Sequence, residues 1–254
     1  MNVVKSSLQQ AAMTGKIPYN PCLAIKLPKR VVKKQRALSF EEEKKLLEKC
    51  ENLRLRTMIS LDISTGLREG ELLGLLWPDI DLENQVLKVE RELTRGKYDG
   101  QNLPFEPPKT DNSIREIPLS QETVKLLKAY KIKQLEGKLK AGSLWQNNNL
   151  VFCTSAGRPL MASNFYRDLR KAAALASIKD IHPHTLRHTF ASRLADNNVH
   201  PRTIQALMGH ANMKQQEDYT HPSAAALRHA ILQLNSQPVE AKKTAENAEK
   251  NPSE

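Results

Sequence analysis

Apolar and polar positions recur with different periods along this chain, and each change of period marks an element. Over residues 3–14 the apolar positions fall at helical spacing, after which Gly15, Pro18, Asn20, Pro21 and Pro28 break the pattern. Nothing nearby in sequence offers this helix a face to pack against. Ser39 and Glu42 form a capping box ahead of Leu46 and Leu47, so a new helical region opens there and continues through Leu76. Over 85–120 the pattern turns to strands: Val86, Leu87 and Val89, then 103–105, then 114–119 after a Thr110-Asp111-Asn112-Ser113 turn. The spacing predicts one small antiparallel sheet. Ser120 then caps a helix reaching about Leu139, a short extended segment follows at 150–153, and the remainder to Leu234 is helical. In the last helix Leu227, Ile231 and Leu234 fall at i, i+4 and i+7, one apolar stripe. Beyond Asn235 the chain is polar, contains Pro238 and Pro252, and has no period, the pattern of a disordered tail. The fold class expected is mainly α with a small antiparallel β-sheet.

Composition adds a partner to this picture. The 254 residues carry a formal net charge of +11, which favours a polyanion. The excess lies at the front: Lys5, Lys16, Lys26, Lys29, Arg30, Lys33, Lys34 and Arg36 occur before any acidic residue. Residues 25–37 therefore read as a basic, proline-containing linker, either a solvated tether or a strap along a phosphate backbone. The longest apolar runs are too short to span a bilayer, and no charged-then-apolar leader pattern opens the chain, so a cytoplasmic protein without a membrane partner is expected. Three cysteines, Cys22, Cys50 and Cys153, are odd in number and lack ligand spacing, which points away from a disulfide framework or a cysteine zinc site.

Three segments can carry chemistry. His184, Arg187 and His188 sit at i, i+3 and i+4 just after Pro183, on one helix face. The same His spacing serves zinc in metalloproteases, but Thr185 stands where a general-base Glu is needed and Arg187 would set a fixed cation beside the metal. Arg68 lies in a glycine-flanked helix start with Glu71 one turn on; a guanidinium held by a carboxylate is one way a phosphate-binding fork is kept in position. His210 follows Gly209 after an apolar stretch, and Tyr219 comes nine residues later, ahead of Thr220-His221-Pro222.

Together these segments resemble the tyrosine recombinase (phage integrase) family. The resemblance runs from about Arg36 to Leu234. It rests on Thr65-Gly66-Leu67-Arg68 through Trp77-Pro78-Asp79-Ile80-Asp81, on Lys109-Thr110 followed by Ser113, Arg115, Ile117, Pro118 and Leu119, on His184-x-Leu186-Arg187-His188, and on Met208-Gly209-His210 with Tyr219-Thr220-His221. Lys214-Gln215-Gln216 replaces the Ser-Thr-Thr-like segment frequent in the family. The resemblance implies a recombinase catalytic domain at 38–234, preceded by the last helix of a core-binding domain at 1–24 and the linker at 25–37, and followed by the tail at 235–254.

It further implies a reaction. Tyr219 is the nucleophile, Arg68 and Arg187 grip the scissile phosphate, His184 and His210 donate hydrogen bonds to it, and His184 also accepts the phenol proton. Glu71 and His188 support them. An unperturbed phenol keeps its proton to about pH 10, so Tyr219 needs that help. Lys109 protonates the departing 5′ oxygen. The 3′-phosphotyrosyl product retains the ester energy, so no cofactor, neither ATP nor metal, is expected. Implied partners are double-stranded DNA and other copies of the chain in a tetrameric synapse, with room for accessory DNA-bending or directionality factors. Alternatives are a type IB topoisomerase-like enzyme that cleaves and reseals one strand, a truncated DNA-binding relative that no longer recombines, and a basic metal hydrolase.

Overall fold

The computed structural model describes residues 2–24, 36–94, 98, 100, 103–106, 114–209 and 224–234. The chain divides into two compact units, Met1–Lys34 and Gln35–Glu254. In the first, α1 (Asn2–Met13) is followed by a single 3-10 turn at Pro21–Leu23. Asn20, 3% exposed, fastens that turn to the helix: its amide donates to Lys5 O (3.0 Å) and Gln9 Oε1 (3.1 Å), while its Oδ1 accepts from the backbone N of Cys22 (3.0 Å). The helix thus has a local partner that its apolar pattern did not announce, because the tie is polar. Val3, Val4 and Met13 stay exposed.

The second unit is built around one helix. α2 (Phe40–Glu48) opens on the expected capping box, with Glu42 N donating to Ser39 Oγ and Ser39 N to Glu42 Oε2, each at 3.1 Å. α3 (Leu53–Thr65), capped by Asn52, buries Thr57, Met58, Ile59, Leu61, Asp62, Ile63 and Thr65. A helix buried on nearly every face belongs at the centre, and α3 packs on α2, α5 (Gln121–Ala141), α6 (Ala162–Leu175) and α7 (Pro183–Asp196). Leu61 and Phe190 are fully buried there, each stabilising the fold by about 2 kcal/mol through lost apolar exposure. The helical run does not reach Leu76: it breaks at Gly66, resumes as α4 (Glu69–Leu73), and gives way to a 3-10 turn at Trp77–Asp79.

Among the described residues the strands form two sheets rather than the single one expected. β1 (Ile80–Asp81), β2 (Val86–Val89) and β5 (Arg115–Pro118) make an antiparallel sheet in the order β1-β2-β5, with Leu87 opposite Ile117 and Val89 opposite Arg115. β3 (Glu92–Leu93) and β4 (Phe105–Glu106) pair separately. The division follows from burial: Leu87, Val89 and Ile117 enter the core, whereas β3 is only half-buried and lies against α4. The close approach needs Gly74, where a Cβ would stand 2.8 Å from Leu93 N. The segment 150–153 is no strand of a sheet; it forms isolated bridges, Leu76 to Leu150 and Cys153 to Pro159. α8 (Pro201–Met208) and α9 (Ala224–Gln233) complete the described residues, and α9 packs on α8 and β5 of its own chain. Of the predicted stripe, Ile231 and Leu234 are buried and Leu227 is partly buried against the core. The cysteines are unpaired.

Candidate functional site

The site is the C-terminal end of α8. Three consecutive carbonyls there, of Leu207, Met208 and Gly209, would be left without helical partners, and each is taken by an arginine from a different element. Arg115 on β5 donates Nε–H to Leu207 O (2.7 Å), Arg187 on α7 donates from NH2 to Met208 O (2.7 Å), and Arg68, the residue before α4, donates from NH2 to Gly209 O (2.6 Å). Cations at this end also meet the negative end of the helix dipole. Gly209 turns the chain at φ +62°, and a Cβ on it would lie 2.8 Å from an Arg115 nitrogen. A glycine is required on both counts.

Glu71 organises the arginines from below. Its side chain is 2% exposed; Oε1 accepts from Arg68 NH1 (2.7 Å) and Arg115 NH1 (3.1 Å), while Oε2 accepts from Arg115 NH2 (2.9 Å) and the backbone N of Arg68 (2.8 Å). Burial opposes the charge on Glu71, yet the hydrogen bonds and charge of Arg115, joined by those of Arg68, hold its pKa down at about 2. Arg187 is 6% exposed and also donates from NH1 to Gly66 O. Burial, followed by the Arg68 charge, lowers its pKa to about 10, so it stays protonated at neutral pH. Gly66 has φ +62° and a Cβ there would overlap the Phe190 ring, so the carbonyl that receives Arg187 is set by a residue that must be glycine. Three guanidiniums facing one carboxylate leave an excess of positive charge. Arg68, with a side chain 32% exposed, is the arginine nearest solvent.

Asp62 lies on α3, which packs on α7, and is 1% exposed with no partner for Oδ1. Burial drives its pKa well above the usual carboxylate range; the Arg187 charge opposes this and Glu71 and Glu69 reinforce it. The sequence alone assigns no role to Asp62 or Arg115. Asp62 could have been noticed as an acid inside the apolar run 58–63, and Arg115 as a cation opening a strand whose other inward residue, Ile117, is buried.

The other expected residues divide as follows. His184 is exposed and His188 half-buried on α7; among the described residues neither is hydrogen-bonded to the arginines. α7 begins where Pro183 predicted, with His182 N donating to Thr185 Oγ1 (3.2 Å) and His182 Nδ1 2.9 Å from the same oxygen. Lys109, His210 and Tyr219, together with Lys26, Lys29, Arg30, Lys33 and Lys34, lie outside the described residues. Arg36, expected in the strap, is engaged by the body of the protein: it bonds Glu42 and the carbonyl of Lys179. Among the described residues no group of three His, Cys, Asp or Glu side chains is placed to hold a metal ion, and no helix is long and apolar enough to cross a membrane.

A mostly helical unit with small antiparallel sheets is the fold of tyrosine recombinase catalytic domains. Residues 36–226 match the Phage integrase family, and the chain belongs to it. A tyrosine recombinase XerC-like protein of Caldanaerobacter subterraneus subsp. tengcongensis is 34% identical over 250 residues, covering 92% of this chain and 64% of that protein. Tyrosine recombinase XerD of Halalkalibacterium halodurans is 31% identical over 215 residues, 82% of this chain and 64% of its own. The chain thus spans just under two thirds of the length of these relatives. Among solved structures, the integrase of transposon Tn1549 in complex with a circular intermediate DNA superposes with a TM-score of 0.64 at 25% identity, covering 82% of this chain and 69% of that one. XerA recombinase gives a TM-score of 0.56 at 25% identity over 91% and 75% of the two chains.

Proposed function

We propose that this protein cleaves and rejoins double-stranded DNA as a site-specific recombinase, with Tyr219 as nucleophile. The observation that carries the reading is that Arg68 and Arg187, far apart in sequence, converge on the Gly209 and Met208 carbonyls, immediately before His210 and about ten residues before Tyr219. Each terminal guanidinium nitrogen bears two hydrogens, so a nitrogen bonded to a carbonyl retains one for a phosphate oxygen. In the reaction, the Tyr219 oxygen attacks the scissile phosphorus as its proton passes to His184. Arg68, Arg187 and His210 meet the charge developing on the non-bridging oxygens. Lys109 protonates the 5′ oxygen as the bond to it breaks, leaving a 3′-phosphotyrosyl link and a free 5′-hydroxyl. A 5′-hydroxyl of a partner strand reverses the attack. One ester replaces another at each step, so no energy from ATP is needed.

Residues 38–234 form the catalytic domain in this reading. Lys26, Lys29, Arg30, Lys33 and Lys34 form the strap that follows the DNA backbone, with Arg36 anchoring it through Glu42 and Lys179. Residues 1–24 belong to a core-binding domain, and residues 235–254 are a polar tail. Recombination takes place in a tetrameric synapse in the cytoplasm, on the nucleoid, with accessory DNA-bending or directionality factors as further partners. The test is covalent trapping: the protein is incubated with a nicked suicide duplex carrying a core site taken from the DNA flanking its gene. An SDS-resistant adduct that is lost in Tyr219→Phe is the expected result. An adduct that survives that substitution sinks the assignment of the nucleophile.

A further inference from the structure

We propose that Arg115 is a positioning residue of this site, one guanidinium that holds the Arg68 fork and the end of α8 in a single frame; the proposal rests on the recombinase reading above. Among the described residues, contacts to Glu71 and Leu207 define its job. NH1 and NH2 take the two oxygens of Glu71, at 3.1 and 2.9 Å, while Nε takes Leu207 O at 2.7 Å. The side chain is 6% exposed and lies against Gly209, where a Cβ would collide with it.

The consequence concerns Arg68. With Arg115 covering one edge of Glu71, the carboxylate takes only NH1 of Arg68, and NH2 remains on the Gly209 carbonyl. Without Arg115, the buried Glu71 keeps its ion pair with Arg68 and draws the whole fork inward. The fork then leaves Gly209, and the last turn of α8, which leads to His210 and Tyr219, loses two of its three arginine contacts. A lysine is a point charge and cannot span Glu71 and Leu207 together. Arg115 also opens β5, two residues after Ser113 and six after Lys109, and is held in register opposite Val89. The same side chain therefore joins the strand that follows the Lys109 segment to the helix that precedes the Tyr219 segment.

The experiment compares the full chain as wild type, Arg115→Met and Arg115→Lys. Amide hydrogen exchange over 206–209 reads the frame, exchange in α5 serves as the internal reference, and adduct formation on the nicked suicide duplex reads the chemistry. Duplex affinity is measured beside it. Arg115→Met is expected to speed exchange in the last turn of α8 by about ten-fold while α5 is unchanged. It is also expected to slow adduct formation by about 100-fold at unchanged duplex affinity, as for a misplaced reacting group. Arg115→Lys should restore part of both. Unchanged exchange at 206–209 overturns the proposal. Equal acceleration in α5 also overturns it, since Arg115 would then be a general support of the core, and so does a loss of adduct matched by a loss of affinity. If the wild type forms no adduct, the recombinase reading fails, and the exchange data still decide whether Arg115 holds the frame.

Discussion

Glu71 and Arg115 meet edge to edge, both carboxylate oxygens of the first lying within 3.1 Å of the terminal nitrogens of the second. Because Glu71 also receives Arg68, one buried carboxylate sets the direction of two cations. Removing its charge while keeping its shape, as in Glu71→Gln, leaves two guanidiniums facing each other with little to separate them. The expected loss is about 3 kcal/mol of unfolding free energy at neutral pH, measured by urea denaturation. A loss below about 1 kcal/mol would mean the pair is worth no more than a surface ion pair.

The same pair shapes the acid limb. The folded-state pKa of Glu71 is about 2, below its ordinary value of 4.5. Between those values the unfolded chain binds the proton more tightly, so this stability is fully present above about pH 4.5 and is lost as pH falls towards 2. The contribution is about 3 kcal/mol. Glu71→Gln should flatten the stability profile in that window, and a profile as steep as that of the wild type would refute the assignment.

Asp62 has the opposite sign. With its folded pKa raised, the folded state binds the proton more tightly, so stability is greatest below the unfolded value of 3.8 and falls as pH rises. Asp62→Asn removes the charge and keeps the shape. It should be more stable than the wild type at pH 8 and similar near pH 4 by chemical denaturation. Lower stability at pH 8 would show that Asp62 works as an ionised partner of Arg187.

Arg187→Lys keeps a cation but cannot reach both Gly66 O and Met208 O as a fork. Adduct formation should fall by about 100-fold or more. Near-normal adduct formation would overturn the phosphate-binding role proposed for Arg187.

Gly66→Ala combines a left-handed φ of +62° with overlap on Phe190. The expected cost is about 3 kcal/mol, from strain together with overpacking. Thermal or urea denaturation measures it, and a cost near zero would require the turn to relax without moving the Arg187 anchor.

How much of this is legible in the sequence depends on how local the signal is. The capping box at Ser39–Glu42 and the N-cap at Ser120 announce their helices because a cap is complete within four residues. Arg68 with Glu71 is readable for the same reason, being one turn apart. Arg115 is not, because its partners lie 44 and 92 residues away and a strand pattern tells only which face a side chain takes. Asp62 escapes notice since its neighbours Leu61 and Ile63 suit a buried helix and nothing nearby in sequence shows what an acid does among them. The single expected sheet becomes two because strands of two residues, such as Glu92–Leu93, leave almost no alternation to read.

The three arginines that grasp α8 reach it from 141, 92 and 21 residues away. Closing the two longer of these loops costs more chain entropy than making local contacts does. The end of α8 therefore has its three arginines only once the start of α4, β5 and α7 are all in place. Under the proposed function, a half-folded chain would lack this arginine setting, so maturation of the fold itself would act as a safety catch against stray strand breakage.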